Sequence, residues 1–225
     1  MFITLLILVL ALLGFEAIKL LQLKGNIAGY ASYWKQYPTD GMFTYVVLGD
    51  SAAQGLGASK PEYGYVGIVA SRIEQLTGKK VRIVNLSVTG ARIKDVTANQ
   101  LPQLKNYKPD LVTLEIGGND VVHYNSANFK TEYDQLAALL PPNTVVSDIP
   151  YFGGRIRKNK EAVEASSYIK TSAEKYSLPL VHLQAETHNR DSLLNYSVDF
   201  FHPSNRGYRV WADAFWKTIQ PLIKK

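Results

Sequence analysis

The stretch VVLGDSAAQG, Val46 to Gly55, runs through aliphatic residues and then breaks at Gly49, Asp50 and Ser51. Tyr45 to Leu48 are β-branched, aromatic or aliphatic and suit a buried strand, while the small residues from Gly49 to Gly57 suit a tight turn leading to a helix. Ser51 therefore sits where a strand ends. In open α/β sheets that edge is where ligands bind. The position is compatible with a reactive serine and equally with a helix N-cap.

Outward from this stretch, apolar strand segments alternate with helical ones. Strands are predicted at Phe43 to Leu48, Val81 to Leu86, Leu111 to Ile116, Thr144 to Ile149 and Leu180 to Leu183. Helices fall near Tyr65 to Thr77, Ile93 to Leu104, Ala127 to Leu140, Lys160 to Tyr176 and Asn205 to Ile223. Continuous apolar strands, each followed by a helix, imply a parallel sheet covered on both faces: an α/β fold with three α/β/α layers and about five strands, doubly wound. With 225 residues, of which 46% are hydrophobic, the chain can bury one substantial core. The domain is expected to occupy residues 43–225.

The start of the chain differs. Phe2 to Phe15, FITLLILVLALLGF, carries no charge, and apolar character returns at Leu20, Leu21 and Leu23 after Glu16 and Lys19. Residues 1–24 read as a membrane anchor, with a cleaved signal peptide and a helix packed on the domain as alternatives. Residues 25–42 read as a polar linker, so that a chain starting near Lys35 should be soluble and active. A literal count of Lys19, Lys24 and Lys35 would keep the domain in the cytoplasm.

Composition excludes several classes. Without cysteine there is no thiolate catalysis, zinc-thiolate site or disulfide. The net charge of +6 is carried by scattered residues, without the basic and aromatic interleaving of a nucleic-acid binder. His123, His182 and His188 lack metal-ligand spacing, and no metal or cofactor is implied.

The ends of the strands collect polar residues. Ser51 follows the first, NLSVTGAR with Gly90 the second, and IGGND with Gly117, Gly118, Asn119 and Asp120 the third. VDFFHPSNRGY, with Asp199 and His202, precedes the last helix. A serine hydroxyl becomes a useful nucleophile when a neutral imidazole takes its proton, and a carboxylate on the other ring nitrogen fixes the tautomer. His202 and Asp199 suit those tasks. The Ser51 N–H, the Gly90 N–H and the Asn119 amide are candidate oxyanion donors. Singly, each residue has a plainer reading as a cap, turn residue or surface pair; together they form an ordered set within one α/β pattern.

GDSAAQG, Gly90, GGND and DFFHP resemble the ordered blocks of the SGNH, or GDSL-type, hydrolase family, over about Phe43 to Lys225. The resemblance implies a flavodoxin-like fold, Ser51 as nucleophile, Gly90 and Asn119 completing the oxyanion hole, His202 as base and Asp199 orienting it. Ala52 and Ala53 depart from the bulkier residues common after the nucleophile. The implied activity is that of a serine esterase acting on an acetylated glycan or a short-chain acyl lipid. Thioesterase, lysophospholipase and O-acyltransferase are variants of the same site, and an inactive membrane-anchored binding module is the alternative of another class. The resemblance also suggests an extracytoplasmic domain, secreted if the first segment is cleaved.

Asp50 and Asp120 are expected to brace their turns rather than to react. Tyr124, Phe152, Phe200 and Phe201 are candidates for lining an acyl pocket. The stretch YFGGRIRKNK, Tyr151 to Lys160, reads either as a solvated basic loop or as a mobile lid, its glycines giving freedom and Arg155, Arg157, Lys158 and Lys160 meeting an anionic lipid or glycan.

Overall fold

The computed structural model describes residues 2–36, 40–142, 144–154 and 156–224. Five strands form one sheet: β1 (Phe43–Gly49), β2 (Val81–Asn85), β3 (Leu111–Glu115), β4 (Thr144–Ser147) and β5 (Leu180–Val181). Their order is β2-β1-β3-β4-β5 and every pairing is parallel. The order reverses at β1, with β2 on one side and β3 on the other. The turn that carries Ser51 therefore leaves the sheet at its topological switch point, where doubly wound folds open a crevice.

The two-residue period of β1 divides the core. Tyr45 and Val47 point to one face, where they join Val69 and Ile73 of α2 (Tyr65–Thr77) and Tyr208 and Phe215 of α8 (Asn205–Ile223). Val46 and Leu48 point to the other, with Leu136 of α5 (Ser126–Leu139) and Ile169 of α6 (Asn159–Lys175). All ten are almost entirely buried. This produces the continuous apolar strand pattern of a sheet covered on both sides.

The structure differs from the sequence reading in three respects. The predicted helix from Ile93 to Leu104 is a single turn, α3 (Ile93–Asp95), followed by a π turn over Val96–Gln100 and a 3₁₀ turn over Leu101–Asn106. Pro102 supplies no N–H for a regular ladder. The buried Gln100 amide is turned onto β1, accepting from Gly49 N at 2.9 Å and donating to Gly49 O at 2.8 Å. Two short helices also escaped the reading, α4 (Gly118–Val122) and α7 (Leu183–Asn189).

The third difference concerns the linker. Helix α1 (Phe2–Gln36) includes residues 25–36, and Tyr30 and Trp34 are buried, at 6% and 5% exposure. Trp34 belongs to the same cluster as α2 and α8. A cut near Lys35 would remove part of the domain's own packing. Most side chains of residues 1–24 lie outside those described; among the described residues no helix is long and apolar enough to cross a membrane.

Leu114, fully buried in the central strand, and Leu139, 60% exposed on α5, give a direct test of this core. Leu114→Ala should lower the unfolding free energy in urea by about 2–5 kcal/mol. Leu139→Ala should change it by less than about 0.5 kcal/mol. Similar effects at both positions would contradict the assigned faces.

Candidate active site

The turn after β1 is built by its own backbone. Leu56 N donates to Ser51 O at 3.0 Å, Gly55 N to Ala52 O at 3.0 Å and Gln54 N to Asp50 O at 3.3 Å. Asp50, buried at the start, accepts from Ala52 N at 2.9 Å, which agrees with a bracing role. Gly57 has φ +97°, and a Cβ there would lie 2.5 Å from Pro203 O and 2.8 Å from His202 Cβ. Only glycine lets this turn lie so close to the histidine segment.

That segment is equally self-bound. Asp199 Oδ1 accepts from the N–H groups of Phe201 and His202, both at 3.0 Å, while Oδ2 meets His202 Nδ1 at 2.5 Å. His202 Nε2 is 2.9 Å from Ser51 Oγ. Phe200 adopts φ +53° to close the turn. Burial alone would raise the Asp199 carboxyl, but its bonds to the imidazole and to the two N–H groups bring it below the ordinary carboxylate range. The carboxylate thus stays ionised and holds Nδ1 as the protonated nitrogen. Nε2 is left to accept from the serine hydroxyl, an arrangement able to remove the proton as the oxygen attacks.

Asn119 lies in α4, directly after Gly117. Its Nδ2 donates to Asp50 Oδ2 and to Ala91 O, each at 3.0 Å. Both amide hydrogens are therefore engaged, and Asn119 ties the serine turn to the segment after Gly90. Gly90 has φ +80°, with open space around its Cα. Burial pushes Asp50 and Asp120 up to about 6; Asp120 accepts from Ile93 N at 3.3 Å, so it ties α4 to the start of α3.

A cavity of about 50 Å³ opens beside Ser51 and His202, walled by Phe152, Phe201, Val210 and Trp211. Phe152 and Phe201 stack with centroids 6.2 Å apart, and Phe201 meets the His202 ring edge-on at 4.9 Å. Two other aromatic candidates do not line it. Tyr124 packs on Phe129 at 5.8 Å, and Phe200 stands 46% exposed. Sequence reading passed over Glu115, which ends β3 at the cavity wall, is 2% exposed and has Oε2 without a hydrogen-bond partner. Burial, with Asp50 beside it, pushes its carboxyl well above the ordinary range. Its signal was a carboxylate inside an otherwise apolar strand.

The start of the basic loop is bonded to its neighbours. Phe152 N donates to Asn159 Oδ1 at 2.7 Å and Asn159 Nδ2 returns a bond to Phe152 O at 3.0 Å, while Gly153 N donates to the Tyr196 hydroxyl at 2.7 Å. A Cβ at Gly153 would strike the Asp191 carboxylate and one at Gly154 the Phe200 carbonyl. The glycines serve close packing. Arg155 lies outside the described residues, Arg157 is exposed and away from the cavity wall, and Lys158 pairs with Glu161 at 2.7 Å. Among the described residues, no group of His, Asp or Glu is arranged to hold a metal.

Comparison with known proteins bears on the family and the fold. The profile of the GDSL-like lipase/acylhydrolase family matches residues 47–210. A GDSL-like esterase of Mycobacterium tuberculosis is 25% identical over 195 residues, 79% of this chain and 62% of the relative. Esterase TesA of Pseudomonas aeruginosa is 35% identical over 77 residues, 34% of this chain and 37% of the relative. The chain thus spans less than two thirds of the length of the curated relatives it matches. Among solved structures, that of TesA superposes with a TM-score of 0.67 at 24% identity, covering 80% of this chain and 99% of the other. An acetylxylan esterase from Geobacillus stearothermophilus gives 0.64 at 22%, covering 80% and 95%. These likenesses show the fold. The profile match takes in Ser51, Gly90, Asn119, Asp199 and His202, and the chain belongs to the GDSL-like lipase/acylhydrolase family.

Proposed function

We propose that the protein is a serine esterase that hydrolyses carboxylic esters through an acyl-enzyme. The observation that carries this reading is the unbroken hydrogen-bonded series Asp199–His202–Ser51 at the mouth of an apolar cavity. Ser51 Oγ attacks the ester carbonyl carbon as His202 Nε2 takes its proton. The tetrahedral oxyanion then collapses, and His202 returns the proton to the departing alcohol oxygen. Water attacks the acyl-Ser51 ester with His202 again as base, which releases the acid and restores the serine.

The Ser51 and Gly90 N–H groups are the proposed oxyanion donors, and Asn119 joins them by exchanging one of its present bonds for the oxyanion. The narrow cavity and its aromatic wall favour a short acyl group. An acetylated glycan or a short-chain acyl lipid fits, in line with the acetylxylan esterase among the structural relatives. A thioesterase, lysophospholipase or acyltransferase would share the first half of the cycle. Membrane attachment through residues 1–24 belongs to the same proposal: Leu5, Leu6, Leu10, Ile18 and Leu21 stand 51–69% exposed on α1. An extracytoplasmic location rests on family resemblance.

A panel of neutral esters of increasing acyl length tests the reading. The acetyl ester should give the highest kcat/KM, and Ser51→Ala should remove turnover of the whole panel. Turnover that survives Ser51→Ala would sink the proposal.

The pH dependence has a definite sign. A protonated His202 can no longer accept the serine proton, while Asp199, held below its ordinary range, stays ionised. kcat/KM for a neutral ester should therefore fall as pH is lowered and level off on the alkaline side. A flat profile across the acid range would remove His202 as base.

Asn119→Ala should lower kcat by about 10²–10³ with KM little changed, because an oxyanion donor binds the transition state more tightly than the ground state. A loss confined to thermal stability would assign Asn119 to bracing the two turns instead.

A further inference from the structure

The end of α1 reaches into the turn that holds Ser51. Tyr30 and Trp34 are four residues apart and so share one helix face. Tyr30 Oη donates to Ala58 O at 2.5 Å, and Trp34 Nε1 donates to Gln54 O at 2.9 Å. Both acceptors are backbone carbonyls of the serine turn, and both bonds are buried. A buried carbonyl without a donor is costly, so each bond fixes where the turn can lie.

Gln54 extends the contact. Its Nε2 donates to Ser87 O at 2.8 Å, and its Oε1 accepts from Thr89 Oγ1 at 2.6 Å. Asn85 Nδ2 donates to Ala53 O at 2.8 Å. The turn carrying Ser51 and the turn carrying Gly90 are thereby joined through one side chain whose own carbonyl is held by Trp34. The second support of this region is Gln100 on the opposite side, at Gly49.

We propose that Tyr30 and Trp34 are positioning residues for the esterase reaction: the end of α1 fixes the serine turn and, through Gln54, the spacing between Ser51 Oγ and the Gly90 N–H. This rests on the esterase reading above. The hydrophobic N-terminal helix is then part of the active-site scaffold as well as a tether. A displacement of about 1 Å between nucleophile and oxyanion donor is enough to slow a reaction strongly, whereas binding of a small ester in the cavity hardly depends on it.

The test uses the full chain with Tyr30→Phe, which loses only a hydroxyl, Trp34→Phe, which loses the indole N–H together with part of a buried ring, and the double variant. Turnover of a small neutral acetyl ester, thermal unfolding and the rate of Ser51 phosphonylation are measured. Each single variant should lower kcat about three- to tenfold, the double variant more, with KM close to the parent and phosphonylation slowed in parallel; the midpoint temperature should stay close to the parent in Tyr30→Phe and fall in Trp34→Phe by the lost packing. Gln54→Met, which keeps the carbonyl but loses the bridge, should show the same kcat effect. Parent-like kcat in the double variant would overturn the proposal. So would a fall in kcat no larger than the loss of folded protein. A parent enzyme that neither turns over esters nor reacts with the phosphonate would instead sink the esterase reading, so the two failures are distinguishable.

Discussion

The hydrogen bond between Ser51 Oγ and His202 Nε2 joins residues 151 apart in sequence, and the arrangement of the site depends on keeping it at 2.9 Å. Neither partner reaches the other by local structure. The parallel sheet delivers the serine turn at the switch point beside β1, and the segment between β5 and α8 delivers the histidine turn. Gly57 removes the side chain that would hold the two turns apart, and Asp199 fixes the imidazole that faces the serine. The apolar core on both faces of the sheet matters for function because it keeps these two loops in register.

The electrostatics around the bond are divided. Asp199 is paired and held below its ordinary range, so its contribution to stability is present at neutral pH and is lost on strong acidification. Asp50 and Asp120 are raised to about 6 by burial. The folded state binds their protons more tightly than the unfolded chain does, so their contribution weakens as pH rises from about 4 toward 6. Burial, with Asp50 beside it, also pushes the Glu115 carboxyl well above its ordinary range.

The layered fold and the residues of the Asp199–His202–Ser51 series stood out in the sequence because each leaves a local mark. Strand β1 alternates faces within an apolar run, and Gly-Asp-Ser, Gly-Gly-Asn-Asp and Asp-Phe-Phe-His-Pro each concentrate turn chemistry in a few residues. What escaped the reading is long-range. Gln100 looks like an ordinary helix residue until its amide is seen on Gly49. Tyr30 and Trp34 read as part of a linker because their acceptors lie 28 and 20 residues on. Gly153 and Gly154 suggested freedom, although the space they leave is taken by Asp191 and Phe200. A sequence records which residues lack a side chain more readily than it records what fills the gap.

The central claim is that one hydroxyl in this chain is activated. Exposure of the folded, full-length protein to an organophosphonate serine probe, followed by intact-mass and peptide mapping, tests it most directly. A single adduct on Ser51, absent in Ser51→Ala and formed far more slowly in His202→Ala, is the predicted result. Equal labelling of Ser51→Ala, or no adduct on the folded parent protein, would contradict it.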